Sequence, residues 1–101
     1  MKIALLQMEV LEKNKEANLA HGLQLVRQAA DEHDLLVMPE IWTTGYSLGR
    51  LSKEAEAVDG EVLAEICKIA AEKQCSIIAG SVPMSRDGKV YNTSVAINKA
   101  G

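Results

Sequence analysis

The chain has 101 residues, of which 48% are hydrophobic, 25% charged and only 3% aromatic, and its formal charge is −3. That length holds one domain at most, and the composition is that of a globule rather than a disordered tail. Acidic residues (14) outnumber basic ones (11), which argues against nucleic acid or an anionic membrane as a partner. Apolar runs such as Ile3–Leu6 are far short of a bilayer span, and Met1-Lys2 before one brief apolar run is no secretory leader. The expected compartment is the cytoplasm.

The hydrophobic period changes several times along the chain. Lys2–Met8 is an apolar run suited to a strand covered on both faces. From Asn14 to about Glu32 the spacing of Leu19, Leu23, Val26 and Ala30 predicts a helix, with Asn14 as its cap. Leu35–Met38 is a second apolar run, stopped by Pro39, and Ile41–Arg50 has the Thr, Ser and Gly content of a loop. A second helix fits Gly60–Lys73, with Asp59 as cap and Val62, Leu63, Ile66, Ile69 and Ala70 as its stripe. Ser76–Ala79 is a third short run. Extended segments around Val82–Met84 and Val90–Asn98 follow, joined through Asp87-Gly88, a pair that suits a turn with positive φ.

The order is therefore β-α-β-α-β followed by a β-hairpin, an α/β chain with a mostly parallel sheet. Three such runs call for cover on both sheet faces, yet only two amphipathic helices are predicted. Crossovers that step in one direction would put both helices on the same face and leave the other bare. Residues 1–101 are thus expected to be a partial domain, incomplete at its carboxyl end. Alone, the chain is expected to expose apolar surface and to aggregate, self-associate or stay partly molten.

Cys67 and Cys75 are eight positions apart, which is neither a zinc spacing nor a secreted disulfide framework. Cys67 reads as a small buried hydrophobe, and His21 and His33 as polar-face or helix-end residues. No metal site is expected. Glu40 is the sharpest candidate for chemistry, because it follows the second run where sites gather beyond the carboxyl ends of parallel strands. Pro39 gives it a rigid stem, and it is either partly desolvated by Met38, Ile41 and Trp42, as befits a general base, or a solvated Glu at the head of a loop. Trp42 and Tyr46 either wall a small-molecule pocket or pin the loop to the core. No glycine-rich phosphate loop follows a strand, and Gly80-Ser81-Val82-Pro83 completes no nucleophile elbow. Asn92 and Thr93 read as local backbone binders.

Several segments in register carry a resemblance. Lys2-Ile3-Ala4-Leu5-Leu6-Gln7, Asp34-Leu35-Leu36-Val37-Met38-Pro39-Glu40 and Trp42-Thr43-Thr44-Gly45-Tyr46 are followed by Ile77-Ile78-Ala79-Gly80-Ser81. Asp87-Gly88-Lys89-Val90-Tyr91-Asn92-Thr93 completes the series. Together they resemble the nitrilase superfamily of carbon–nitrogen hydrolases over essentially the whole chain. Glu32-His33 departs from it where a glycine is common, at a helix end rather than at the chemistry.

The resemblance implies the N-terminal part of an α-β-β-α sandwich whose bare sheet face meets a second sheet. It also implies cofactor-free hydrolysis of small amides or nitriles by a Glu–Lys–Cys triad through a thioester. Glu40 matches the family's glutamate, and Tyr46 matches a substrate-contacting position of amidase-type members. Lys99 comes too early to be the lysine, and neither Cys67 nor Cys75 lies in the nucleophile's context. One member of the triad is therefore present, and the chain alone is expected to hydrolyse nothing. The expected partners are a small amide substrate and, by the family's habit, further copies in a homo-oligomer. The alternative is a catalytically inactive remnant that acts as an interaction module.

Overall fold

The computed structural model describes residues 1–12, 14–45, 55 and 60–101. In chain order its elements are β1 (Ile3–Leu5), α1 (Lys15–Ala30), β2 (Leu35–Val37), α2 (Glu61–Lys73), β3 (Ser76–Ile78), β4 (Val82–Arg86), β5 (Lys89–Thr93) and β6 (Ala96–Ile97). The order is the one expected, with one refinement. Val90–Asn98 is not a single strand but breaks after Thr93, and β6 returns to the main sheet. That return is anchored where Ala79 N donates to the Val95 carbonyl (2.8 Å).

The main sheet runs β1-β2-β3-β6, with the first three strands parallel and β6 antiparallel to β3. Register puts Ala4, Leu36, Ile77 and Ile97 in one row across it. Leu36 and Ile77 are fully buried, in one cluster with Val26 and Ala30 of α1 and with Val62, Leu63, Ile66, Ile69 and Ala70 of α2. Side chains alternate across a strand, so the flanking rows point the other way. Those rows are Ile3-Leu35-Ser76 and Leu5-Val37-Ile78-Ala96. Ile3 is 53% exposed and Leu5 77%, so the second sheet face is bare. Both helices lie on the buried row, as one-directional stepping of the crossovers requires, and the Arg27–Glu65 ion pair joins them at the surface.

Helix ends follow local chemistry. Asn14 Oδ1 accepts from Ala17 N (3.2 Å) and caps α1. His33 Nδ1 donates to the Ala29 carbonyl (2.8 Å), which accounts for a histidine where the chain leaves α1. α2 starts from Gly60 with no side-chain cap bond, and Asp59, expected as its cap, lies outside the described residues. α2 stops where Gln74 turns left-handed at φ 54°. The β4–β5 turn takes positive φ at both Asp87 (51°) and Gly88 (76°), the primed geometry that suits a two-residue hairpin.

The stripe of α1 is rotated from the expected one. Its buried residues are Asn18, Gly22, Val26 and Ala30, while Leu19 and Leu23 are only half-buried. The row nearest the core has to be narrow at Gly22 and polar at Asn18. The reason lies in the turn that follows β2.

Candidate active site

β2 ends at Val37 and the chain continues through Met38-Pro39 to Glu40, beyond the carboxyl ends of the parallel strands. Met38 N donates to the Ile78 carbonyl (3.0 Å), so the stem of Glu40 is still tied to β3 after the strand has ended. The next residue, Ile41, adopts φ 45°. A β-branched residue in that left-handed region carries about 1–3 kcal/mol of strain and persists only where its surroundings hold it. Gly45, at φ 66°, closes the turn with N–H donating to the Ile41 carbonyl (2.9 Å).

Two anchors hold this turn to the body of the protein. The first is Trp42, which is fully buried and whose Nε1 donates to the Ala79 carbonyl (3.0 Å). A Cβ at Gly22 would lie 2.4 Å from Trp42 Cζ3, so the helix must present a glycine to the indole. The second is Asn18, also buried, whose Oδ1 accepts from Leu11 N (2.8 Å). Its Nδ2 donates to the carbonyls of Leu11 (2.7 Å) and Thr43 (3.0 Å). One side chain of α1 thus fastens both the β1–α1 connection and the turn after Glu40. Between those two segments lies an open depression of about 250 Å³ lined by Val10, Glu12, Glu40, Ile41 and Gly45.

The hairpin approaches Glu40 from the other side. Asn92 of β5 donates from Nδ2 to Glu40 Oε2 at 3.4 Å, a long bond between residues 52 apart in sequence. Gly80, at φ 64°, passes so close to the stem that a Cβ there would lie 2.0 Å from the Pro39 carbonyl oxygen.

Glu40 itself is exposed in the chain, so the desolvation that its neighbours could supply is not present. The reason is that Ile41 and Trp42 turn inward and leave the carboxylate on the outer side of the turn. Trp42 pins the loop, and with no exposed surface its ring has no face to offer a ligand. Tyr46 lies outside the described residues. Among the described residues no three His, Cys, Asp or Glu side chains converge as a metal-ligand set, and no helix is long and apolar enough to cross a membrane.

A family model described as Carbon-nitrogen hydrolase matches residues 2–101. The chain belongs to that family. It is 30% identical over 99 residues to the 2-oxoglutaramate amidase of Bacillus subtilis (strain 168), covering 98% of this chain and 38% of that protein. It is 32% identical over 93 residues to the omega-amidase NIT2 of Mus musculus, covering 91% of this chain and 33% of that one. Among solved structures, Nit3 of Saccharomyces cerevisiae, a member of branch 10 of the nitrilase superfamily, superposes with a TM-score of 0.87 at 25% identity. The match takes in all of this chain and 41% of Nit3. The chain therefore spans roughly a third to two-fifths of the length of these proteins, and its sheet and helices are one part of the nitrilase-superfamily fold.

In this carbon–nitrogen hydrolase segment the cysteines stand apart from Glu40. Cys75 precedes β3 at the amino end of the sheet, opposite to the end that carries Glu40. Burial pushes its thiol up from the ordinary range, and the Asp34 charge adds to the effect, so little nucleophilic thiolate forms near neutrality. Cys67, expected to be buried, is only half-buried, because α2 turns Ile66 and Ala70 to the core and leaves Cys67 at its margin.

Asn18, Gly22 and Ser81 carry more of the turn than the sequence reading assigned to them. The i, i+4 row Asn18-Gly22-Val26-Ala30 was a usable signal, since a buried asparagine on such a row has to be hydrogen-bonded to something. Nothing local marks Asn92 or Ser81, because their partners are 40 or more residues away.

Proposed function

We propose that the chain is the N-terminal part of an amidase in which Glu40 is the general base. The observation that carries this reading is the placement of Glu40. It follows a parallel strand on a proline stem, beside an open depression, in a turn anchored by Trp42 and Asn18. The family match supports the same assignment.

In the reaction proposed, Glu40 takes the proton of a cysteine thiol supplied from outside these 101 residues. The thiolate attacks the amide carbon, and a lysine from the same source balances charge on the tetrahedral oxygen. Glu40 then returns the proton to nitrogen as the C–N bond breaks, which releases ammonia and leaves a thioester. Glu40 next takes a proton from water as the water attacks the thioester, and the thiol recovers its proton when the acid leaves. The substrate class proposed is a small carboxylic acid bearing a terminal carboxamide, supported by the activities named for the Bacillus and mouse relatives. The exposure of Glu40 suits this reading, because the bare face of Ile3, Leu5, Val37 and Ile78 is the seat for a second sheet that would close over this end of the molecule.

The test is ammonia release from 2-oxoglutaramate and from succinamate by the complete polypeptide that carries this chain. Glu40→Gln should lower kcat by about 10²- to 10⁴-fold, the range that a positioned general base contributes. Full activity of the Gln variant, or no ammonia from the unaltered protein, overturns the assignment.

A further inference from the structure

Four hydrogen bonds strap the segment leaving β3 to the segment leaving β2. Met38 N donates to the Ile78 carbonyl (3.0 Å) and Ser81 N to the Pro39 carbonyl (3.3 Å). Trp42 Nε1 donates to the Ala79 carbonyl (3.0 Å), and Ile41 N donates to Ser81 Oγ (2.9 Å). The first three use the main chain of the Ile78–Ser81 strap, so they do not depend on which side chains it carries. The fourth depends on a hydroxyl.

That fourth bond acts on the peptide that leaves Glu40, as the Ser81 N–Pro39 carbonyl bond acts on the peptide that enters it. The nitrogen the fourth bond holds is joined to the Glu40 carbonyl, so it fixes the peptide plane next to the Glu40 Cα. It does so at Ile41, the strained left-handed residue of the turn (φ 45°). Trp42, on the far side of Ile41, is locked in the core. A change of φ at Ile41 would therefore turn the peptide that joins it to Glu40, whose carboxylate also accepts from Asn92 Nδ2. Ser81 is itself buried, so its hydroxyl serves the turn rather than solvent or a ligand.

We propose that Ser81 is a positioning residue for Glu40: its hydroxyl holds the left-handed Ile41 peptide and so aims the carboxylate. The inference rests on the reading of Glu40 as general base. A serine that only satisfied a buried N–H would affect stability alone. A serine that aims the base affects the chemical step and spares binding.

The experiment is steady-state hydrolysis of succinamate by the complete polypeptide, for Ser81→Ala, Ser81→Thr, Glu40→Gln and the Glu40→Gln/Ser81→Ala double variant. Ser81→Ala should lower kcat about 10- to 100-fold, with KM within about twofold of the unaltered protein. Ser81→Thr, which keeps the hydroxyl, should restore kcat to within about threefold. In the Glu40→Gln background Ser81→Ala should cost nothing further, since residues that act through one group are not additive. If Ser81→Ala does not fold, Ser81→Cys keeps the volume with a weaker acceptor and should shift kcat in the same direction. Unchanged kcat in Ser81→Ala, an equal loss in Ser81→Thr, or an equal further loss in the Glu40→Gln background overturns the role of Ser81 and leaves Glu40 standing. Full activity of Glu40→Gln removes the base itself, and the proposal with it.

Discussion

Gly22→Ala tests how tightly α1 is fitted to the turn that carries Glu40. The new Cβ would lie 2.4 Å from Trp42 Cζ3, 2.7 Å from Cε3 and 3.2 Å from Cη2. Carbon atoms in contact sit about 3.5 Å apart or more, so helix and ring must separate by about 1 Å. The ring has nowhere to go, because it is fully buried and its Nε1 is tied to the Ala79 carbonyl. Overpacking of this kind costs about 1–3 kcal/mol. Loss of the indole bond adds about 1 kcal/mol, and the gain in helix propensity from Gly to Ala returns about the same. The expected net loss is about 2 kcal/mol, or roughly 10 °C in Tm for a chain of this size.

The assay is urea unfolding at one fixed protein concentration, followed by the fluorescence of Trp42, the only tryptophan. The decisive control is Trp42→Leu, followed by circular dichroism, in which the aromatic ring met by the Cβ is gone. There Gly22→Ala should become neutral or stabilise by up to about 1 kcal/mol. A Gly22→Ala chain as stable as the original, or an equal loss in the Trp42→Leu background, would refute the reasoning.

Two further tests address the sheet and the buried thiol. In the 101-residue chain Leu36→Ala should cost about 2–5 kcal/mol and Leu5→Ala less than about 0.5, because one side chain is fully buried and the other 77% exposed. In the complete polypeptide the cost of Leu5→Ala should rise to about 2 kcal/mol or more, and equal small costs in both settings would count against a second sheet on that face. The Cys75 thiol is raised in the folded chain by burial and by the Asp34 charge, so the unfolded chain ionises first as pH rises. Its effect on stability is absent below the range of an ordinary thiol, about pH 8.5. Above that, stability falls with pH until the folded thiol ionises as well. Urea midpoints at pH of about 7.5 and 9.5 should therefore converge in Cys75→Ala relative to the original chain, and an unaltered difference would sink this account.

Much of the architecture was legible because it depends on short-range periodicity. Runs of three or four apolar residues between helical patterns allow few alternatives to parallel strands with crossovers, and Asp87-Gly88 specifies its own turn. Even the bare sheet face followed from counting two helices against three strands. The details around Glu40 were less legible. Apolar spacing on α1 pointed to Leu19 and Leu23, whereas the buried positions are Asn18 and Gly22, chosen by what they meet across the turn. Trp42 stood equally for a pocket wall or a pin until its Nε1 found the Ala79 carbonyl, 37 residues away.

By itself the sequence determined the order of elements and the rigid proline stem before Glu40. These are properties of neighbouring residues, set by backbone sterics and side-chain period. Only the tertiary structure decided which way the turn faces. The exposure of Glu40, the burial of Trp42 and the strained φ of Ile41 are fixed by Gly22, Asn18, Gly80 and Ser81, which reach the turn from two other parts of the chain, α1 and the segment after β3. Beyond the i, i+4 row of Asn18 and Gly22, such contacts leave no local mark in sequence, because a glycine that makes room at position 80 and a serine that holds one peptide look like any other glycine and serine until their partners are in place.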